Sequence, residues 1–191
     1  RGFGNVLAES SQAKKIFPPE AVDYLIAVKD LPQSDPHDVR YIKSFALGIA
    51  VASRGADHLR NRPTLDILKL PDDVRMKIFG VPTSSDPTSY EGKAGMVAWH
   101  DDIYAVADSL GICKFITHGF NSPKLLGYDH FVELIQSVAG LNFSEEELRG
   151  VGKRVIDIER QINLEIGRTR ADDTLPKRYF DDPMPSRAPK G

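Results

Sequence analysis

Two short stretches of this 191-residue chain carry side chains suited to chemistry. The first is Asp108-Ser-Leu-Gly111-Ile112-Cys113, at the end of an apolar helical pattern and containing the only cysteine. A helix that stops at glycine can present the following backbone closely to a bulky ligand. A carboxylate five residues before a thiol lies about one and a half turns back and can address the same object from another level. Aspartate suits a bidentate bond to an amino-pyrimidine edge, and a cysteine thiolate suits iron in a cluster. Spacing alone favours a plainer outcome, with Asp108 solvated and Cys113 a small core residue, because free cysteine is among the most buried residue types. The second stretch is Arg54-Gly-Ala-Asp57-His58-Leu-Arg60. Two guanidiniums and an imidazole just past a small-residue helix could bind an anion and supply a proton. Basic side chains at the negative end of a helix dipole account equally well for the same residues.

Other catalytic signatures are missing. The sequence holds no nucleophile elbow, phosphate-binding loop, HExxH, CxxC or dinucleotide-binding glycine motif. Five histidines (His37, His58, His100, His118 and His130) lack ligand spacing, which argues against a mononuclear site built from this chain alone.

The elements that must position these residues read as helices, giving an all-α, irregular multi-helix architecture. PPEAVDYLIAVKD (18–30) opens with prolines suited to a first turn and continues apolar, predicting a helix. Asp38 is placed to cap a second helix carrying Tyr41, Phe45, Leu47, Ile49 and Val51, ending near Ser53–Gly55. Its centre, ALGIAVA, is small and apolar on every side, which predicts burial and close approach by other backbone. Residues 67–92 are broken by Pro71, Gly80, Pro82 and Pro87 and read as irregular with short helices. Met96, Trp99, Ile103, Val106 and Leu110 then recur at helical steps, so the first motif closes that helix. A further helix over 127–140 ends at Gly140. Ser144 and Glu147 form a capping box, and the helix behind it carries Leu148, Val151, Val155, Ile158 and Ile162 on one stripe. Residues 1–17 form an irregular lead-in, 18–180 the helical body, and the Pro-rich 181–191 an extended tail.

Composition bounds the partners. Apolar residues make up 41%, charged 27% and aromatic 8%, as in a soluble globular domain. A net charge of -2 without a Lys/Arg block opposes nucleic-acid or anionic-membrane binding. The longest apolar run, residues 45–52, is too short to span a bilayer. A single cysteine excludes an internal disulfide and fits a reducing, cytoplasmic setting. The first residue is Arg1, and the opening residues lack a clean period, which reads as part of something longer.

Together and in chain order, SRGADHLR (53–60), ADSLGICKF (107–115) and ERQINLEIGRTRADDTLPKRYF (159–180) resemble the C-terminal part of the tungsten-containing aldehyde:ferredoxin oxidoreductases, the end of domain 2 and domain 3. The family pattern D-x-x-G-L-C matches Asp108, Gly111 and Cys113, with Ile112 in place of leucine. The resemblance implies helical domains over a bis-pyranopterin tungsten cofactor (tungstopterin, with molybdenum as the alternative metal) held on an N-terminal β-rich domain. It implies that Cys113 is the fourth ligand of a [4Fe–4S] cluster, and that Asp108 and the main chain of Ile112 meet the pterin. By the same resemblance Arg54 and Arg60 lie at the cofactor, and His58 exchanges a proton near the metal. The resemblance also implies that aldehydes are oxidised to carboxylic acids, with electrons passing to ferredoxin or an electron-transfer subunit. The three other cluster cysteines and a first D-x-x-G-L motif are absent. The resemblance therefore implies that an upstream portion or a partner chain completes the site, and that the isolated chain exposes an apolar, cofactor-facing surface and tends to oligomerise. Reduction of aryl-CoA thioesters, known in the same family, and a cofactor-free helical interaction module are the competing readings.

Overall fold

The computed structural model describes residues 15–34, 37–117 and 126–184. Most of residues 1–17, the tail from 185 onward and His118 lie outside them, so the expectations for both ends are not addressed.

The central element is the helix α3 (Lys93–Ser109), preceded by α1 (Lys43–Val51) and α2 (Asp72–Phe79) and followed by α4 (Tyr128–Ala139), α5 (Glu145–Glu165) and a single turn, α6 (Arg178–Asp181). Two-residue strands β1 (Ala27–Val28) and β2 (Leu31–Pro32) pair antiparallel. Among the described residues the fold is therefore helical with one short hairpin. The helical period of α3 comes with burial on nearly every side. Met96, Trp99, Ile103, Tyr104 and Val106 join Phe79 of α2, Tyr128, Phe131 and Ile135 of α4, and Leu148 of α5 in one apolar core. Val28, Val39, Phe45, Ile49 and Ala56 form a second.

Close backbone approaches fix the layers. A methyl group at Gly152 on α5 would lie 2.3 Å from the Asp102 carbonyl oxygen, so glycine is what lets α5 rest directly on α3. A methyl at Gly48 would meet the Pro63 ring at 2.8 Å, so the close approach to ALGIAVA is made there by a side-chain ring rather than by the backbone expected. The capping box of α5 is formed: Glu147 N donates to Ser144 Oγ at 3.2 Å and Ser144 N to Glu147 Oε2 at 2.8 Å.

Two local expectations are corrected. Residues 18–30 do not form an α-helix. Pro19–Tyr24 make a 3-10 turn, and the hairpin that follows turns at Lys29 and Asp30, both at positive φ (48° and 63°). The Lys29 side chain is buried against Asp173 (2.7 Å) and the Ala50 carbonyl (2.6 Å), and Arg168 Nη2 donates to the Lys29 carbonyl at 2.9 Å. These long-range bonds offset the strain of left-handed backbone outside glycine. Asp38 does not cap α1. It pairs with Arg40, and Ile42 stands at the helix start without a side-chain cap. The carbonyls at the other end of α1 are capped from a distance, Ala50 by Lys29, Val51 by Arg160 and Ser53 by Asn163.

Candidate functional site

The loop between α1 and the 3-10 turn Leu65–Leu68 carries SRGADHLR. Asp57 organises it, accepting from Leu59 N at 2.7 Å on one oxygen and pairing with Arg54 Nη2 at 2.6 Å on the other. Gly55 turns the loop at φ 103°, with the Val28 carbonyl so close that a methyl there would sit 2.2 Å from it. Asn61 then ties the loop to α3, donating to Asp101 Oδ1 at 2.5 Å and to the Val97 carbonyl at 3.3 Å. Burial of the Asp101 carboxyl raises its pKa to about 7.

The second motif begins in the last turn of α3. Gly111, at φ 68°, closes the helix, and Ile112 N donates back to the Ala107 carbonyl at 2.9 Å. This spends the Ile112 N–H and leaves its carbonyl as the main-chain group to offer a ligand. The Ile112 side chain packs on the core. Cys113 heads the 3-10 turn Lys114–Ile116, with its thiol exposed rather than buried as spacing alone favoured.

The fold brings the two motifs together through charge. Arg60 Nη1 donates to Asp108 Oδ2 at 2.6 Å, and Lys114 Nζ lies 2.7 Å from both oxygens of the same carboxylate. Lys114 also donates to the Leu59 carbonyl at 2.6 Å and sits over the Tyr104 ring, 5.1 Å from its centroid. The remaining Arg60 terminus pairs with Glu159 of α5, whose second oxygen accepts from Ser53 Oγ at 2.5 Å. One chain of bonds thus runs from Ser53 through Glu159, Arg60 and Asp108 to Lys114 and back to the loop at Leu59. The Arg60 and Lys114 side chains are each 12% exposed and Asp108 39%, so the cations are fixed beneath a carboxylate that solvent or a ligand can still reach. Burial lowers the pKa of Lys114, while Asp108 acts in the opposite sense.

Arg54 projects outward. His58 takes no part in these bonds and stacks instead on His37, ring centroids 4.6 Å apart. Its pKa is lowered, first by burial and then by His37. His100 is structural: buried, with Nδ1 donating to the Met96 carbonyl at 2.8 Å, its pKa lowered to about 4 by burial. Sequence reading missed Lys114, Glu159 and His37. The first follows Cys113 directly, the second opens the third matching run, and only the fold brings the third beside His58.

The family model described as aldehyde ferredoxin oxidoreductase, domains 2 & 3, matches residues 1–191. The chain belongs to this family. It is 34% identical over 194 residues to the tungsten-containing aldehyde ferredoxin oxidoreductase of Pyrococcus furiosus, a match covering all of this chain and 29% of that protein. The same-named proteins of Pyrococcus horikoshii and Thermococcus kodakarensis are each 32% identical, over 196 and 197 residues, again with 100% of this chain and 29% of theirs covered. This chain therefore spans less than a third of the length of these relatives. No helix among the described residues is long and apolar enough to cross a membrane.

Proposed function

We propose that this chain forms one wall of a tungstopterin and [4Fe–4S] site in an oxidoreductase that converts aldehydes to carboxylic acids and passes the electrons to ferredoxin. The observation that carries this reading is the Arg60–Asp108–Lys114 junction, which joins the histidine-bearing loop to the cysteine-bearing turn. The residues present fit one side of such a site. The Cys113 thiol is exposed, the Asp108 carboxylate is reachable, and among the described residues no group of three or more His, Cys, Asp or Glu could hold a metal unaided. That donor set suits a shared centre, with three further cluster ligands supplied from outside this chain.

When bound, tungsten and the cluster supply the two-electron redox chemistry. In this reading Cys113 would ligate one iron through Sγ, and Asp108 would accept from the amino edge of the pterin while Arg60 and Lys114 hold the carboxylate in place. The Ile112 carbonyl offers one further acceptor, and Arg54, exposed and paired with Asp57, supplies positive charge from the loop. His58, inclined toward its neutral form at neutral pH, takes a proton on a ring nitrogen and returns it.

The test is Cys113→Ser in the complete enzyme, with iron content and the electron paramagnetic resonance of the reduced cluster as readouts beside aldehyde turnover. Loss of one iron or an altered cluster signal is expected. Full iron with an unchanged spectrum would overturn the assignment.

A further inference from the structure

His37 has no role in the chemistry proposed above, yet its ring lies against that of His58. The centroids are 4.6 Å apart and the planes are inclined by 33°. His37 also meets Phe45 edge-on, 5.6 Å between centroids, so its ring touches both a core aromatic and the loop histidine. Its backbone is held from two elements, the His37 carbonyl accepting from Gln33 Nε2 and from Tyr179 Oη at 3.3 Å. Its Nδ1 lies 3.2 Å from the Ser34 carbonyl, which suits a protonated Nδ1. A ring anchored in this way restricts the rotamers open to the ring stacked on it.

The charges facing His58 come from three places. Asp57, its chain neighbour, favours the imidazolium but is itself paired with Arg54 at 2.6 Å. Arg62 and His37 both disfavour it. Like charges at this distance repel, so a charge on the His37 ring disfavours the imidazolium form of His58.

We propose that His37 is a positioning residue for His58, fixing the orientation of its ring by stacking and disfavouring a second positive charge on the pair. Burial of His58 acts in the same direction, so the pair enters a proton exchange with His58 uncharged. The inference rests on the reading of His58 as the proton-exchanging group, and it names the residue that prepares His58 for that task.

The test is a side-chain nitrogen NMR titration of the histidines in the full chain, for the wild type, His37→Phe and His37→Ala. Phenylalanine keeps a ring against His58 and Phe45 but carries no charge, which separates ring contact from electrostatics and keeps the space filled where alanine would empty it. The His58 midpoint is expected to rise in His37→Phe. In His37→Ala it is expected to rise further as burial is also lost, with the His58 ring signals averaging over more than one rotamer. An unmoved His58 midpoint in His37→Phe overturns the electrostatic role, and an unchanged ring environment in His37→Ala overturns the stacking role. In the complete enzyme, His37→Phe is expected to move the acid limb of the kcat profile to higher pH, because turnover then requires removal of a proton held more tightly. His58→Asn separates the two readings. Full turnover in His58→Asn removes the catalytic assignment while leaving the measured pairing intact. An inactive His58→Asn together with an unmoved midpoint in His37→Phe removes the role of His37 alone.

Discussion

Lys93→Met should be among the most damaging single changes outside the site. Lys93 is the first residue of α3, and its Nζ lies 2.8 Å from Asp66 Oδ2 and donates to the Ser84 carbonyl at 2.8 Å. The two side chains are 2% and 0% exposed, so the pair is dry. Ser44 of α1 has its hydroxyl 2.8 Å from the same carboxylate oxygen and 2.6 Å from the Pro63 carbonyl. Methionine keeps the length and apolar stem of lysine and removes the charge, leaving Asp66 buried with the Ser44 hydroxyl as its remaining side-chain donor among the described residues. Breaking a buried pair from one side costs about 3–5 kcal/mol, because the other charge is left uncompensated. That is a large share of the ~5–15 kcal/mol that holds a domain together. In D66L/K93M both charges are gone and Ser44 can turn its hydrogen to Pro63, so the double variant should lie within about 1–2 kcal/mol of the wild type. Urea unfolding of the four proteins, followed by far-ultraviolet circular dichroism, gives the cycle, and the K93M loss should persist in added salt because a buried pair is little screened. A K93M loss under about 1 kcal/mol, or single losses that simply add in the double variant, would refute the reasoning.

Three further outcomes can be checked on the same chain. Gly152→Ala places a methyl 2.3 Å from the Asp102 carbonyl and should destabilise by about 1–3 kcal/mol or more, read as a lowered urea midpoint; an unchanged midpoint would mean that α5 can move away from α3 freely. Ser144→Ala removes the acceptor for Glu147 N and should cost about 1 kcal/mol, with Ser144→Thr largely retaining it. Asp101 has a folded-state pKa of about 7 against an ordinary 3.8, so between these values the folded chain keeps a proton that the unfolded chain has released. Its contribution is therefore complete below about pH 4 and lost as pH rises through 7, and Asp101→Asn should flatten the fall in stability over that window. Asp102, whose pKa burial also raises, leaves a residual slope, and an unaltered slope in Asp101→Asn would contradict the assignment.

What the sequence made legible follows from which interactions are local. The three- and four-residue recurrence from Met96 to Val106 marks α3 because those side chains share a core, and Ser144 with Glu147 marks the start of α5 because a capping box closes within four residues. Residues 18–30 read as a helix because Ala, Leu and Ile recur there. What decides their fate is the left-handed turn at Lys29–Asp30, held by Asp173, Arg168 and the end of α1, none of which is near in sequence. Asp38 departs for a different, local reason, since Arg40 offers a charged partner two residues on that outcompetes the orphan amides of α1. In the site, motif spacing identified Asp108, Cys113 and Arg60 as chemistry-bearing but not that Asp108 is clamped by Lys114, or that Arg60 is turned by Glu159. Those pairings span 6 and 99 positions, and complementary charge alone does not select them from the many carboxylates and cations available.

The same network explains why α5 changes character along its length. Leu148 and Gly152 are buried against the core, whereas Ile158 and Ile162, on the continuation of the stripe, are 56% and 52% exposed. Glu159 stands between them in sequence and turns inward to Arg60 and Ser53, so the polar side of that turn holds the site while its apolar residues face out. Leu110, Phe115 and Ile116, which flank Cys113, are exposed as well. Single exposed apolar residues need no explanation, but a stripe four residues apart on one helix and a set around the one thiol lie next to the residues proposed to hold a cofactor. Under the proposed reading both are surfaces that the remainder of the enzyme covers. The Arg60–Asp108–Lys114 junction then acts as a rigid seat, formed within this chain before the cofactor and the covering surface arrive.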